Sequence, residues 1–389
     1  MLVRQYCFPL WTAVKYYCSR PFSIVLHLLV RRSPNSSIHT EKSVEFSFTP
    51  AINASAPTCN CNAHTTPRQQ QYGLESVGKG ASGEVYKVDE DIVLKSSQIF
   101  APPSEASSTW AKWSYASETI FHTNLTNDER TVLEILQRHR YPHPYIAEAI
   151  DTHYPEGIYF RKYKQLSEVT VPSQPGRVQW YMNILTALSH LHDIGIAHSD
   201  VRIANLLFDT MGRYAYLCDF STCSPFGKPN LAYPYPDFHL PTHIVSSLAS
   251  DKTDRFIMGS LIYQLEHGVK PRLMADRNGS LIVPEIRTGS DVLDAVIQKA
   301  WLGRYISTSQ MLNDVKSITS DMDAEVTGAN PHMRSTESLR KSIRQWRGAR
   351  EKQFGCVLHG VPSEHHLQYL ADQHGWDKDA DSRFVGCKF

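Results

Sequence analysis

An excess of charge is what this sequence most plainly lacks. Its 40 lysines and arginines are met by 39 acids, a net charge of +1, so no global field draws the chain to nucleic acid or anionic lipid as its main partner. Long apolar runs are missing too. The uncharged stretches near the N-terminus, residues 5 to 14 and 21 to 30, are ten residues long, whereas a membrane-spanning helix needs about 20. No transmembrane span is expected. Cysteine is sparse: eight residues, at 7, 18, 59, 61, 218, 223, 356 and 387, too scattered for the framework of a small secreted domain, which favours a reducing compartment. Cys59 and Cys61 have no second pair nearby to complete a tetrahedral metal site.

What is present is ordinary globular material, 41% hydrophobic and 20% charged. The first forty residues carry Arg4, Lys15, Arg20, Arg31 and Arg32, with no acid before Glu41. That composition resembles a transit peptide, so mitochondrial import stands as the alternative to the expected cytoplasmic location. Residues 41 to 71 run to Ser, Thr, Pro, Asn and Gln and read as linker. Residues 1–71 are therefore expected to be a disordered or targeting-like extension.

Order is expected from Tyr72. Tyr72 to Val77 alternates as a strand does, and Gly78-Lys79-Gly80-Ala81-Ser82-Gly83 leads into a second β-rich run, Glu84 to Val88. A glycine turn lets backbone N–H groups approach phosphate oxygens without Cβ interference. Here the turn joins strand to strand, not strand to helix, which separates it from a dinucleotide fingerprint. The next short strand, Asp91 to Lys95, ends in a lysine positioned to meet phosphates. Residues 98 to 117, rich in Ser, Ala and Pro, read as an inserted loop, with helix character returning near Asn127. From Glu129 the offsets of three, four and seven fall on Val132, Leu133 and Leu136; from Glu134 they fall on Gln137, Arg138 and Tyr141. Glu129 thus borders a buried face and is the better carboxylate for Lys95.

A helical stripe of Trp180, Ile184, Ala187, Leu188 and Leu191 precedes His198-Ser199-Asp200-Val201-Arg202-Ile203-Ala204-Asn205, and Cys218-Asp219-Phe220-Ser221 follows. Asp200, Asn205 and Asp219 supply the oxygens phosphoryl transfer needs: one to orient a hydroxyl and accept its proton, two to hold magnesium against phosphates.

With these motifs in this order, the chain resembles the eukaryotic protein kinase superfamily over about residues 72 to 320. The resemblance implies an α+β, two-lobed fold with a β-rich N-lobe (72–162), a mainly helical C-lobe (163–320) and a C-terminal extension (321–389). It implies that Gly78, Lys79, Gly80, Gly83 and Val85 cover ATP, that Lys95 pairs with Glu129, that Asp200 is the catalytic base, and that Asn205 and Asp219 bind Mg²⁺. Arg202 falls where the family contacts the transferred phosphate, and Phe160 where a gatekeeper precedes the hinge at Arg161 to Tyr163. Asp254 corresponds to an acid that accepts backbone N–H bonds from the catalytic loop. The implied activity is ATP- and Mg²⁺-dependent phosphorylation of a protein substrate, on Ser or Thr.

Three departures qualify that expectation. Ser199 replaces the arginine of H-R-D, so no activating phosphate is expected to be needed. Ser221 replaces the glycine of D-F-G, which should stiffen the motif. No A-P-E is present; Tyr233 to Asp237 is the nearest stand-in, with Asp237 as a partner for Arg304. A nucleotide- or protein-binding pseudokinase and a small-molecule phosphotransferase, which shares H-x-D-x-x-x-x-N, stand as alternatives. Beyond residue 325, Ser338 to Arg350 reads as a basic amphipathic helix, expected to pack on the main domain, with calmodulin or acidic lipid as the other possible partners. Asp377-Lys378-Asp379 imitates a calcium loop but lacks its glycine and bidentate glutamate.

Overall fold

Five short antiparallel strands make the first lobe: β1 (Ser76–Lys79), β2 (Gly83–Lys87), β3 (Ile92–Ser97), β4 (Ala149–Asp151) and β5 (Ile158–Arg161), in the order β1-β2-β3-β5-β4. The computed structural model describes residues 66–80, 82–139, 143–232, 247–276, 278, 280–318, 334–380, 382–384 and 387. Cys59, Cys61, the transit-like segment, Tyr233 to Asp237 with its expected link to Arg304, and Asp381 and Lys388 of the calcium-like segment lie outside the described residues. Residues Thr66–Phe389 form one compact unit.

The first strand begins later than the alternation suggests, because Tyr72 and Gly73 form a turn with Gly73 at φ 66°. The third runs two residues past Lys95, so the lysine sits inside a strand and not at its end. Between β3 and β4 lies α1 (Thr109–Arg138), 30 residues long. This corrects the second half of the expected loop: residues 98–108 are irregular as expected, but 109–117 are the first part of a helix. Ser108 caps it, accepting the Ala111 N–H at 3.2 Å. Its opening sets Trp110, Trp113 and Tyr115 among serines and alanines, and Ala116 and Ile120 are buried against Leu367, Leu370 and Ala371 from the far end of the chain. Tertiary packing overrides a weak local signal there.

The second lobe is mainly helical: α2 (Gln174–Asp193), α3 (Asp251–His267), α4 (Asp291–Trp301) and α5 (Thr308–Lys316). The stripe on α2 is buried as its spacing predicts, with Trp180, Ile184, Ala187, Leu188 and Leu191 at most 1% exposed. Gly259 lets α3 approach α4, since a Cβ there would lie 2.8 Å from Ala300 Cβ. Two short pairings frame the loops above α2: β6 (Ile196–Ala197) with β9 (Ser224–Pro225), and β7 (Leu206–Phe208) with β8 (Ala215–Leu217).

Two further helices, α6 (Thr336–Phe354) and α7 (Glu364–His374), return to the first lobe. Leu339 and Ile343 of α6 are fully buried with Tyr86, Ile92, Leu94 and Tyr159 of the sheet. Several of the helix's basic residues act as tethers: Arg340 donates to the Ile150 carbonyl at 3.1 Å, and Arg347 to Glu156 at 2.5 Å. No helix among the described residues is long and apolar enough to cross a membrane.

Candidate active site

Lys95 projects from β3 into the cleft between the lobes. Its Nζ lies 2.6 Å from Glu129 Oε2 on α1 and 2.8 Å from Asp219 Oδ1 in the turn after β8. Glu129 is the one of the two candidate glutamates that reaches Lys95, because the apolar stripe that follows it turns that side of α1 inward. Burial opposes charge at Lys95, but Asp219 and Glu129 outweigh it and push its pKa up, so the ammonium stays charged. Burial would likewise raise Asp219, but Lys95 and the Ser221 hydroxyl reverse the shift and hold it well below the usual carboxylate range. Glu129 goes the other way. Its desolvation is the largest influence and lifts its pKa despite Lys95.

The loop from His198 to Asn205 is held from below. Asp254, at the start of α3 and fully buried, accepts the His198 N–H at 2.7 Å, the Ser199 N–H at 2.8 Å and His192 Nε2 at 2.9 Å. Three donors on one carboxylate fix the backbone carrying Asp200. Asn205 Nδ2 donates to the Asp200 carbonyl at 2.8 Å and to its Oδ2 at 2.9 Å. A carboxylate only accepts, so the amide nitrogen must face Asp200 and the amide oxygen is turned away from it. Burial pushes the Asp200 pKa up, with Arg202 pulling against it. Arg202 Nε lies 3.0 Å from Asp200 Oδ2.

The Asp219–Ser221 turn shows how serine stands in the place of glycine. Among described non-glycine residues, positive φ occurs at Ser199 (71°) and Asp219 (63°), not at Ser221. The glycine position therefore imposes no left-handed backbone on Ser221, and its hydroxyl is used: Oγ donates to Asp219 Oδ1 at 2.7 Å. Cys218, beside Asp219, has its thiol pushed far above the usual range by burial, which disfavours the thiolate.

The glycines of the turn have different duties. A Cβ on Gly83 would lie 2.2 Å from the Ser96 carbonyl oxygen, so strand packing alone demands glycine there. At Gly78 and Gly80 a Cβ would make only ordinary contacts of 3.6 and 3.7 Å. Among the described residues nothing requires glycine at those two positions, which suits a backbone kept bare for a ligand. Gln98 Nε2 holds the Gly80 carbonyl at 2.9 Å. Val85 stands opposite Lys95 across β2 and β3 and shares its face; Phe160 stands opposite Val93, two residues from Lys95 on that same face. Lys79 is turned outward, 3.4 Å from Glu84.

Lys95, Glu129, Asp219, Asp200, Asn205 and Arg202 thus meet in one cleft under the glycine turn. Three participants had no sequence signal: the Ser221 hydroxyl, Gln98, and Ser82, whose Oγ lies 3.4 Å from Asp219 Oδ1. Each acts through a contact made only on folding.

A β-rich lobe and a helical lobe with these side chains between them define the two-lobed protein kinase fold. The protein kinase domain family model matches residues 73–336, and the chain belongs to that family. Two relatives are similar over shorter stretches. Serine/threonine-protein kinase 1 of Lymantria dispar multicapsid nuclear polyhedrosis virus is 28% identical over 111 residues, 28% of this chain and 40% of that protein. Serine/threonine-protein kinase SKS1 of Saccharomyces cerevisiae is 28% identical over 171 residues, 36% of this chain and 34% of that protein. The chain spans well under half the length of either relative.

Proposed function

We propose that the protein is an active kinase that transfers the γ-phosphoryl group of ATP to a serine or threonine hydroxyl of a protein substrate. The observation that carries this reading is the convergence of Lys95 with Glu129 and Asp219, at 2.6 and 2.8 Å, beside the Asp200–Asn205 pair at 2.9 Å. Lys95 is the cation for the nucleotide phosphates, positioned by Glu129. Asp200 orients the attacking hydroxyl and accepts its proton, and Arg202 offsets charge developing on the transferred group.

The donor set fits magnesium. Asp219 is held ionised, Asn205 turns an amide oxygen away from Asp200, and hard oxygen ligands completed by phosphate are what Mg²⁺ takes. Bound there, the ion would neutralise phosphate charge.

Ser/Thr preference draws support from the two relatives, both named serine/threonine-protein kinases. The test uses the full chain with labelled ATP, Mg²⁺ and a degenerate peptide library, beside Asp200→Asn. Label on Ser or Thr above that control is the expected result. Nucleotide that raises the melting temperature with no label above control would replace this reading with a binding module. Label on small alcohols and none on peptides would replace it with a small-molecule phosphotransferase.

A further inference from the structure

Whether Lys95 finds both its carboxylates depends on how α1 sits against the Asp219–Ser221 turn, since each element supplies one of them. On one side of the turn, Glu129 Oε1 accepts the Phe220 N–H at 3.2 Å. On the other stands a residue from the far end of the chain. Arg383 donates through Nε to Asp128 Oδ2 at 2.8 Å and through Nη2 to the Ser221 carbonyl at 2.5 Å. Asp128 and Glu129 are neighbours, as are Phe220 and Ser221. Two adjacent residues of one helix therefore grip two adjacent residues of the turn, one directly and one through Arg383.

The contact is dry: the side chains of Arg383 and Asp128 are 3% and 4% exposed. Ser382 Oγ adds a bond to Asp128 Oδ1 at 3.2 Å, and Phe384 is buried in the core of the large lobe, so the tail is anchored on both sides of the arginine. A buried ion pair is a poor source of net stability, because attraction roughly repays desolvation; it discriminates sharply between arrangements, because parting the partners strands a buried charge. The guanidinium fork can bond a carboxylate and a carbonyl together, which a single ammonium does less well.

Resting on the phosphotransfer reading above, we infer that Arg383 is a positioning residue for that reaction: it locks α1 to the Asp219–Ser221 turn, so that Lys95, Glu129 and Asp219 stay converged. It touches no reacting atom. Its action runs through Asp128 and the Ser221 carbonyl.

The test compares the full-length wild type with Arg383→Met and Arg383→Lys by amide hydrogen exchange and by phosphotransfer kinetics. In Arg383→Met, exchange should rise about tenfold or more in residues 127–133 and 220–223 while α2 keeps its protection. The kcat for peptide phosphorylation should fall about tenfold or more with the peptide KM unmoved, and Arg383→Lys should recover part of both. Wild-type protection and kcat in the Met variant would overturn the inference. So would an equal rise in exchange across α2, which marks a general structural role. If the Met variant does not fold, the Lys variant is judged by the same local pattern. If the wild type itself transfers no phosphate, the phosphotransfer reading fails on that result, and the exchange pattern still decides whether Arg383 locks the helix to the turn.

Discussion

The two lobes close their cores by different means. The large lobe packs mainly its own helices, with Trp180, Phe208, Phe256 and Trp301 in a cluster that also takes in Leu133, Leu136, Ile158 and Phe160 at the lobe junction. The small lobe borrows. Its sheet is covered by Leu339, Ile343, Val357 and Leu358, and the outer face of α1 by Leu367, Leu370 and Ala371, all from residues beyond 334. Motifs mark a kinase domain that ends near residue 320, and the family match ends at 336. The chain that buries the small lobe extends to at least Ala371. A catalytic unit and a folding unit therefore have different C-terminal limits here, because a short, strongly twisted sheet cannot hide both faces with one helix.

Truncation gives the largest way to break that comparison. Removing residues 334–389 strips at least four buried aliphatic side chains off the sheet, worth about 1.5–3 kcal/mol each, against a total stability of about 5–15 kcal/mol for an ordinary domain. The small lobe of such a chain should not fold stably. Circular dichroism and thermal melting check this, and a melting temperature within a few degrees of the full chain would mean the extension is an accessory.

Asp200→Asn in the full chain should lower kcat by about 10²- to 10⁴-fold, the range for losing a general base, with the melting temperature unmoved. Catalysis would then be separable from the borrowed core. Arg347→Met tests the tether. Glu156, 4% exposed in its side chain, would keep Tyr159 at 2.7 Å but lose its cation. Leaving a buried charge unpaired costs about 3–5 kcal/mol, read as a lowered denaturation midpoint.

The pH response should also differ between groups. Asp200 has a raised pKa, so the charged base is lost as pH falls through a value above the ordinary aspartate range, and the acidic limb of kcat should lie there. Arg202 lowers that pKa, so Arg202→Gln should move the limb further up. Asp219 has a lowered pKa; its contribution to stability is full above the unfolded aspartate value and is lost only as pH falls through the depressed one. Between these limits the enzyme should lose turnover before it loses the fold. The smallest effect is expected from Ser221→Gly, which removes one hydrogen bond to Asp219 and should cost about 1 kcal/mol of stability. Ser221→Asp should lower activity, not raise it: Ser221 is 2% exposed, and a second carboxylate beside Asp219 repels it.

Much of the site was legible in the sequence because its chemistry rests on local spacing. Asp200 and Asn205 lie on one short loop, Lys95 on a strand of alternating burial, and Glu129 at the head of an apolar stripe. The stripe even chose correctly between two glutamates for the partner of Lys95. The start of α1 was not legible, since the Ser-, Ala- and Pro-rich stretch before it runs into the helix without a break in composition, and the buried Ala116 and Ile120 find their partners in α7. Nor was the use of the basic helix α6. Its pattern predicted an amphipathic helix packed on the domain, and the structure lays it on the sheet of the small lobe, with Arg340 and Arg347 spent on Ile150 and Glu156.

By itself the sequence determined the order of the motifs, the helical and strand periods that carry them, and the set of charged groups available to a phosphate. Those are properties of neighbours along the chain. Only the tertiary structure decided that a sheet would be finished by α6. It also decided that Arg383 would close on Asp128, 255 residues away in sequence. Contacts at such separation leave no period in the sequence; they exist because buried apolar surface and buried charge must both find partners when the chain closes on itself.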